Sequence, residues 1–381
     1  PMHVSIVTSD RMILASGRYA AAVCMNSCLM NEGWAAMGHS ATRPLLEQDL
    51  HPAWVRLYEK LLTAIEDDFS DWLQAREVSE NHDGCDAENM LPYLIEYLMR
   101  NIRETVAALD DLALHFADFR QRCAAAASQQ ELQEHILDFA RELGATPRQL
   151  RRDRQAFARW FGEDAIAERY IRLRAERERK IAFVLERLGV LCSMLLRNTG
   201  EAGHPARQWR RLKLEQLIRP LLGYTGELRV RTEAFRCLAK ALQALPVELQ
   251  EPGISDTTLT YIYRSALERR QDVWIQCEAL GLLQSLSPSS LDRALRNRLQ
   301  QPGDGNDLFV RRHAVRLLGA RLAGNAMLAG LIECVAEDAS PAVRQVLPAA
   351  LQAAPAERAS RVLTRLLSDD PEPAVRAAAL L

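Results

Sequence analysis

Asp338-Ala339-Ser340-Pro341-Ala342-Val343-Arg344 and Asp370-Pro371-Glu372-Pro373-Ala374-Val375-Arg376 are two copies of one pattern, an Asp followed after four residues by Val-Arg. From 343 to 375 the step between valines is 32 residues. Reading backwards, Val310 lies 33 residues before Val343, Ile275 lies 35 before Val310, and Val230 lies 45 before Ile275. Ala314, Ala279 and Ala234 follow these three earlier positions by four residues. Five copies of one helix start, with inserts that lengthen toward the N-terminus, are the mark of a repeat architecture. An apolar stripe at helical spacing precedes the clearest copies. It reads Ala359, Val362, Leu363, Leu366, Leu367 before Asp370, Met327, Leu328, Leu331, Ile332, Val335 before Asp338, and Leu259, Ile262, Tyr263, Ala266, Leu267 before Ile275. The unit is therefore helix, short turn, helix.

The same residues predict how each unit is built. The Asp of the pattern is placed to cap the second helix by accepting from its unpaired N–H groups. Pro341 and Pro371 suit a first helical turn, where a missing N–H is harmless. Ala314, Ala349, Ala350, Ala377 and Ala378 let helices approach closely. One such hairpin cannot bury its own apolar face, so neighbours are expected to stack into a curved solenoid.

The Asp–x4–Val-Arg pattern with alanines after it resembles the HEAT-repeat family over residues 212–381, under half of the chain. The match is specific in the last two copies. It is looser in the middle one, where Gly305 stands at the Asp position, and in the first two, where Thr225 and Arg270 stand there. The resemblance implies an all-α, right-handed α-solenoid of HEAT-like hairpins. It also implies a ladder between successive repeats, to which Asp338, Arg344, Asp370 and Arg376 would contribute.

Upstream, the expected organisation is an N-terminal arm over 1–44, a helical region over 45–200 (a bundle or degenerate repeats), and the repeat array over 201–381. In the arm, residues 2–8 could form a strand, and no unbroken apolar stretch with a small-residue cleavage site reads as a signal peptide. A helix from Pro52 carries Trp54, Tyr58, Leu61, Leu62, Ile65, Phe69, Trp72 and Leu73 on one face. A second carries Leu94, Ile95, Leu98, Ile102, Leu109, Leu112 and Phe116. A third runs from about Gln129 to Leu143 and stops at Gly144, a usual C-terminal signal. Thr146-Pro147-Arg148-Gln149 restarts the chain like a capping box. A long helix from about Glu163 to Arg197 follows, its exposed middle laced with Glu168/Arg172 and Arg174/Glu178 pairs. The fifth repeat copy stops in mid-helix at Leu381 without a polar cap, which predicts a further C-terminal portion or a partner at that end.

Composition sets the class. Of 381 residues 48% are hydrophobic and 26% charged, with a formal net charge of −2, values of an ordinary soluble protein and not of a polyanion binder as a whole. No apolar window is long enough to span a membrane; the nearest, 181–196, is broken by Glu186 and Arg187. The eight cysteines are scattered. Cys192, Cys237, Cys277 and Cys334 fall beside apolar helical positions, as reduced thiols used as small hydrophobes in a cytoplasmic protein. Cys24 and Cys28 lack the further ligands of a metal site.

Charge is segregated. Residues 47–111 hold 16 acidic against 5 basic side chains, 148–180 hold 11 basic against 6 acidic, and 207–219 hold 5 basic against Glu215 alone. Solvated helix faces explain this at the simplest level. The sharper reading is a basic surface for phosphate or an acidic partner, formed by Arg148, Arg151, Arg152, Arg159, Arg207, Arg210, Arg211 and Lys213, with Trp160 or Trp209 as a stacking platform. Asp67-Asp68-Phe69-Ser70-Asp71 matches a DDxxD magnesium pattern but has no second acidic motif beside it. Asn81-His82-Asp83-Gly84 matches part of a calcium loop, yet Met90 stands where that loop needs Glu. No HExxH, Walker loop, GxGxxG or GxSxG is present. His313 reads as an interface residue.

No catalytic residue, cofactor or metal is expected. Three functional classes follow: a non-catalytic HEAT-like scaffold for a protein partner, a nucleic-acid-binding module using the basic helices 148–180 and 207–219, and a HEAT-like enzyme. Within the resemblance, enzymes of this fold include base-excision glycosylases, bilin lyases and a metal-dependent hydroxylase. The hydroxylase would require repeated His-Glu pairs, which the chain lacks.

Overall fold

The structure is a computed structural model that describes residues 87–143, 163–197, 205–246, 253–300, 307–322, 325 and 328–380. These are helical throughout their regular segments, with no strand among them. The expectations for the arm 1–44, the helix from Pro52, the motifs at 67–71 and 81–84, Cys24, Cys28, the 144–149 restart, Arg148, Arg151, Arg152, Arg159 and Trp160 lie outside the described residues. The chain divides into two compact units. One comprises residues up to Leu195 together with Gly223–Glu233, the other Leu196–Leu222 together with Ala234–Leu381.

In the first unit, helix α1 spans Ala87–Ala125, α2 spans Gln129–Glu142 and α3 spans Glu163–Arg197. The spacing that predicts α1 is the spacing of its buried face: Leu94, Leu98 and Ile102 are fully buried, and Leu109 and Leu112 nearly so. Helix α2 starts where Ser128 accepts from the Glu131 N–H at 3.2 Å, while the Glu131 carboxylate reaches back to the Ala127 N–H at 2.9 Å. This is reciprocal capping of orphan donors. An aromatic stack joins the three helices. Phe116 lies over Tyr170 with ring centroids 3.9 Å apart, and Phe119 over Phe139 at 4.5 Å.

The middle of α3 differs from its prediction in one respect. The Glu168/Arg172 pair is exposed, as its i,i+4 spacing implies, but Glu178 is buried. Its Oε1 accepts from Arg174 Nε at 3.0 Å, Tyr224 Oη at 2.8 Å and the Glu227 N–H at 3.3 Å. A Cβ on Gly226 would sit 2.1 Å from that oxygen, so only glycine lets the 223–227 turn close over the carboxylate. Burial, then the Glu178 carboxylate, push the Tyr224 phenol well above its ordinary value. Arg187 is also buried, over the Phe183 ring at 4.8 Å, and its burial lowers the guanidinium to about 10.

In the second unit α4 (Pro205–Leu212) and α5 (Leu214–Leu222) are separate helices, because Lys213 between them takes φ = 50°. That left-handed conformation ends a right-handed helix. Next come α6 (Leu228–Gln243), which crosses the boundary between the units, α7 (Asp256–Leu267), α8 (Val273–Leu286), α9 (Pro288–Gln300), α10 (Leu308–Leu322) and α11 (Leu331–Ala336). They are followed by α12 (Pro341–Arg344), α13 (Leu347–Ala350), a 3-10 turn over Leu351–Ala353, α14 (Ala356–Asp369) and α15 (Pro373–Leu380). Val230, Ile275, Val310, Val343 and Val375 are all fully buried, as are Ala234, Ala279 and Ala314. Helix α7 packs on α8, α9 on α10, α11 on α12 and α13, and α14 on α15. Between hairpins, α7 meets α9, α9 meets α11 and α11 meets α14, while α8 meets α10, α10 meets α12 and α13, and α12 meets α15.

Two details of the hairpins depart from expectation. Pro341 does open α12, but the first residue of α15 is Pro373, and Pro371 remains in the turn before it. The helix that starts at Pro341 does not continue. It breaks after Arg344 because Pro348 has no N–H for the Arg344 carbonyl and its ring crowds that oxygen. The broken segment lies tight against α10: a Cβ on Gly319 would meet Ala350 Cα at 2.9 Å.

Candidate interaction surfaces

A buried chain of charges runs through the second unit. Asp307 accepts from Arg311, and the Arg311 Nε lies 3.0 Å from Asp338 Oδ2. Further on, Arg344 grips Asp370 with two parallel bonds, Nε to Oδ2 at 2.7 Å and Nη2 to Oδ1 at 2.9 Å. Its remaining Nη1 donates to the Asp338 carbonyl at 2.7 Å, which links the two pairs. Asp338 and Asp370 do not cap their helices. They accept from Ser340 N–H at 2.8 Å and Glu372 N–H at 2.9 Å, inside the preceding turn, leaving the carboxylates aimed at the arginine of the previous hairpin. Arg376 pairs with no carboxylate among the described residues; its Nη1 donates to the Asp370 carbonyl at 2.7 Å. Gly305 lies outside the described residues, and the acidic role in that hairpin falls to Asp307. The Arg344 guanidinium holds the Asp370 carboxyl below the usual carboxylate range.

Where the repeat pattern would place the next arginine back, Gln276 stands instead. Arg298 of α9, fully buried, reaches it through Nη2 and also donates to the Ala266 carbonyl at the end of α7, from Nε at 3.1 Å and Nη2 at 2.8 Å. Burial lowers the Arg298 guanidinium, and the nearby Asp307 charge opposes that. Arg298 thus sits beside the first turn of α8 through Gln276 and the start of α10 through Asp307. These two helices begin at the same end and run the same way.

The outward face of that pair carries mixed chemistry. Trp274 and Phe309, each just before its repeat Ile or Val, are 63% and 62% exposed. His313 is half-buried against Cys277 and Gly281; a Cβ on Gly281 would lie 3.9 Å from its Nε2. Burial, then the Arg316 charge, lower the His313 imidazole, so its neutral form is favoured. Burial pushes the Cys277 thiol up to about 11, which makes it unreactive. Arg236 of α6 neutralises Glu278 at 2.7 Å. Cys334, expected beside the core, is exposed.

Arg207, Arg210 and Arg211 of α4 and Lys213 just after it are all exposed, and none pairs with a carboxylate among the described residues. Arg210 donates only to the Ala206 carbonyl of its own helix, at 3.2 Å. Trp209 is not a stacking platform: it is buried, and its Nε1 donates to the Gly253 carbonyl at 2.6 Å. No helix among the described residues is long and apolar enough to cross a membrane, and no group of three or more His, Cys, Asp or Glu side chains there is placed to share a metal ion. Comparison of the chain with protein-family models and with curated proteins returns no match.

Sequence reasoning missed Asp307, Arg311 and Arg298 in the buried network. Asp307 stands three residues before Val310 instead of five, so a fixed spacing passes over it. Arg298 belongs to a helix outside the repeated motif. Trp274 and Phe309 were visible at one repeat position, and their outward direction came only with the helix packing.

Proposed function

We propose that this chain is a HEAT-like α-solenoid segment that acts as a non-catalytic scaffold for a protein partner. The observation that carries the reading is the succession of contacts between like helices, α7–α9–α11–α14 and α8–α10–α12–α15, threaded by the buried Arg311–Asp338 and Arg344–Asp370 pairs. The main contacts of each of these hairpins are with its neighbours, which is the pattern of an array that grows by addition. The charged side chains buried within it are engaged with one another or with backbone, and so serve packing.

A second reading draws on α4. Its exposed Arg207, Arg210 and Arg211, with Lys213 just after it, pair with no carboxylate among the described residues and favour binding to phosphate, which in a nucleic-acid complex would weaken steeply with salt. The test is capture of partners on the purified chain from native lysate, with and without nuclease, at low and high salt. A discrete protein retained after nuclease and high salt supports the scaffold. Loss of everything on either treatment transfers the function to α4.

A further inference from the structure

The register of α8 and α10 brings the most exposed aromatic side chains of this unit together. Both helices start at Arg298, and His313, four residues after Phe309, packs where Cys277 and Gly281 lie, three and seven residues after Trp274. Phe309 and Trp274 therefore occupy neighbouring positions at the same end of two packed helices, about 8–10 Å between axes. Nothing in the repeat requires large side chains there. The corresponding position is Arg229 in α6, Ala342 in α12 and Ala374 in α15.

Charge gives the surface a sign. One and two turns along α10 from Phe309, on the same face, stand Arg312 and Arg316, and neither pairs with a carboxylate among the described residues. Two acidic side chains stand near this face: Glu278, which Arg236 neutralises, and Asp272, whose carboxylate is held at the start of α8 by the Trp274 N–H at 2.8 Å. We propose that this face of α8 and α10 docks an acidic peptide segment of a partner protein. Apolar side chains of the peptide seat on Trp274 and Phe309, and its carboxylates pair with Arg312 and Arg316. Aromatic and arginine side chains are the groups that dominate binding energy at such interfaces. Single-stranded nucleic acid is the poorer fit, because phosphate tracking needs a continuous cationic strip and here two free arginines share the face with Glu278.

This inference rests on the scaffold reading, and the experiment separates the two. A random-peptide display library is selected on the full chain, and enriched sequences are made as fluorescent peptides. The expected peptides are acidic with spaced aromatic or aliphatic residues, and their affinity falls at least about tenfold, equal to about 1.4 kcal/mol, in Trp274→Ala/Phe309→Ala and in Arg316→Glu. Lysine substitution of the peptide acids restores binding to Arg316→Glu. Unchanged thermal melting of the variants shows that the fold is kept, as exposure of these side chains implies. No enrichment, or peptides indifferent to all three changes, overturns the proposal. So does a labelled oligothymidylate that binds the chain and is lost in the aromatic double variant. A lysate protein still captured by that variant also overturns it, and leaves the scaffold standing. Peptides that depend on the aromatics, with no lysate protein captured at all, uphold the docking face and remove only the scaffold reading.

Discussion

The Arg344–Asp370 pair is the clearest single-residue determinant of the second unit. Both side chains are buried, and Asp370 has its charge satisfied by two guanidinium bonds and the Glu372 N–H. Arg344→Met should lower stability by about 3 kcal/mol, since it strands a buried carboxylate, whereas Arg344→Met/Asp370→Leu should recover most of the loss. Urea titrations of the three proteins check this. The pair also has a pH signature. Asp370 is held below its ordinary value, so its contribution is fully present above the unfolded carboxyl value of about 3.9 and is lost as pH falls through the lowered folded value. Denaturation midpoints measured from about pH 5 downward should therefore drop faster in the parent chain than in Arg344→Met. A parallel fall in both would place the acid-sensitive group elsewhere. The sequence made this charge network half legible. The Asp–x4–Val-Arg spacing pointed to Asp338, Arg344 and Asp370, while direction of pairing depends on which hairpin lies next to which.

At the level of helices, two glycines make opposite predictions. Gly319 of α10 lies against Ala350, where an added methyl would meet Cα at 2.9 Å. Gly319→Ala should destabilise by about 1–3 kcal/mol through overpacking, more than the roughly 1 kcal/mol it gains in helix propensity. Gly281 of α8 has room, its nearest neighbour being His313 Nε2 at 3.9 Å. Gly281→Ala should stabilise by up to about 1 kcal/mol. Thermal melting of the two variants decides; the same sign for both would contradict the packing of α8, α10 and α13. Helix existence was readable from periodicity alone, down to the span Glu163–Arg197. The break after Arg344 was readable in principle from Pro348, but the repeat pattern masked it by implying an unbroken second helix.

For the molecule as a whole, the predominance of contacts between successive hairpins from α7 to α15 predicts that damage stays local. In hydrogen exchange followed by mass spectrometry, Arg344→Met should expose amides of 331–380 and leave those of α1 and α2 at parent rates. Uniform loss of protection would mean that the chain unfolds as one cooperative body. The amino-acid sequence by itself determined that this is a helical protein and which valines and alanines its helices bury, because apolar residues at helical spacing are a local, one-dimensional signal. Only the tertiary structure decided which charges meet, that Trp209 and Glu178 are buried while Cys334 is not, and that Trp274 and Phe309 are exposed. Those outcomes depend on the register between helices. That register is set by packing among residues far apart in the chain, so spacing along the sequence does not encode it.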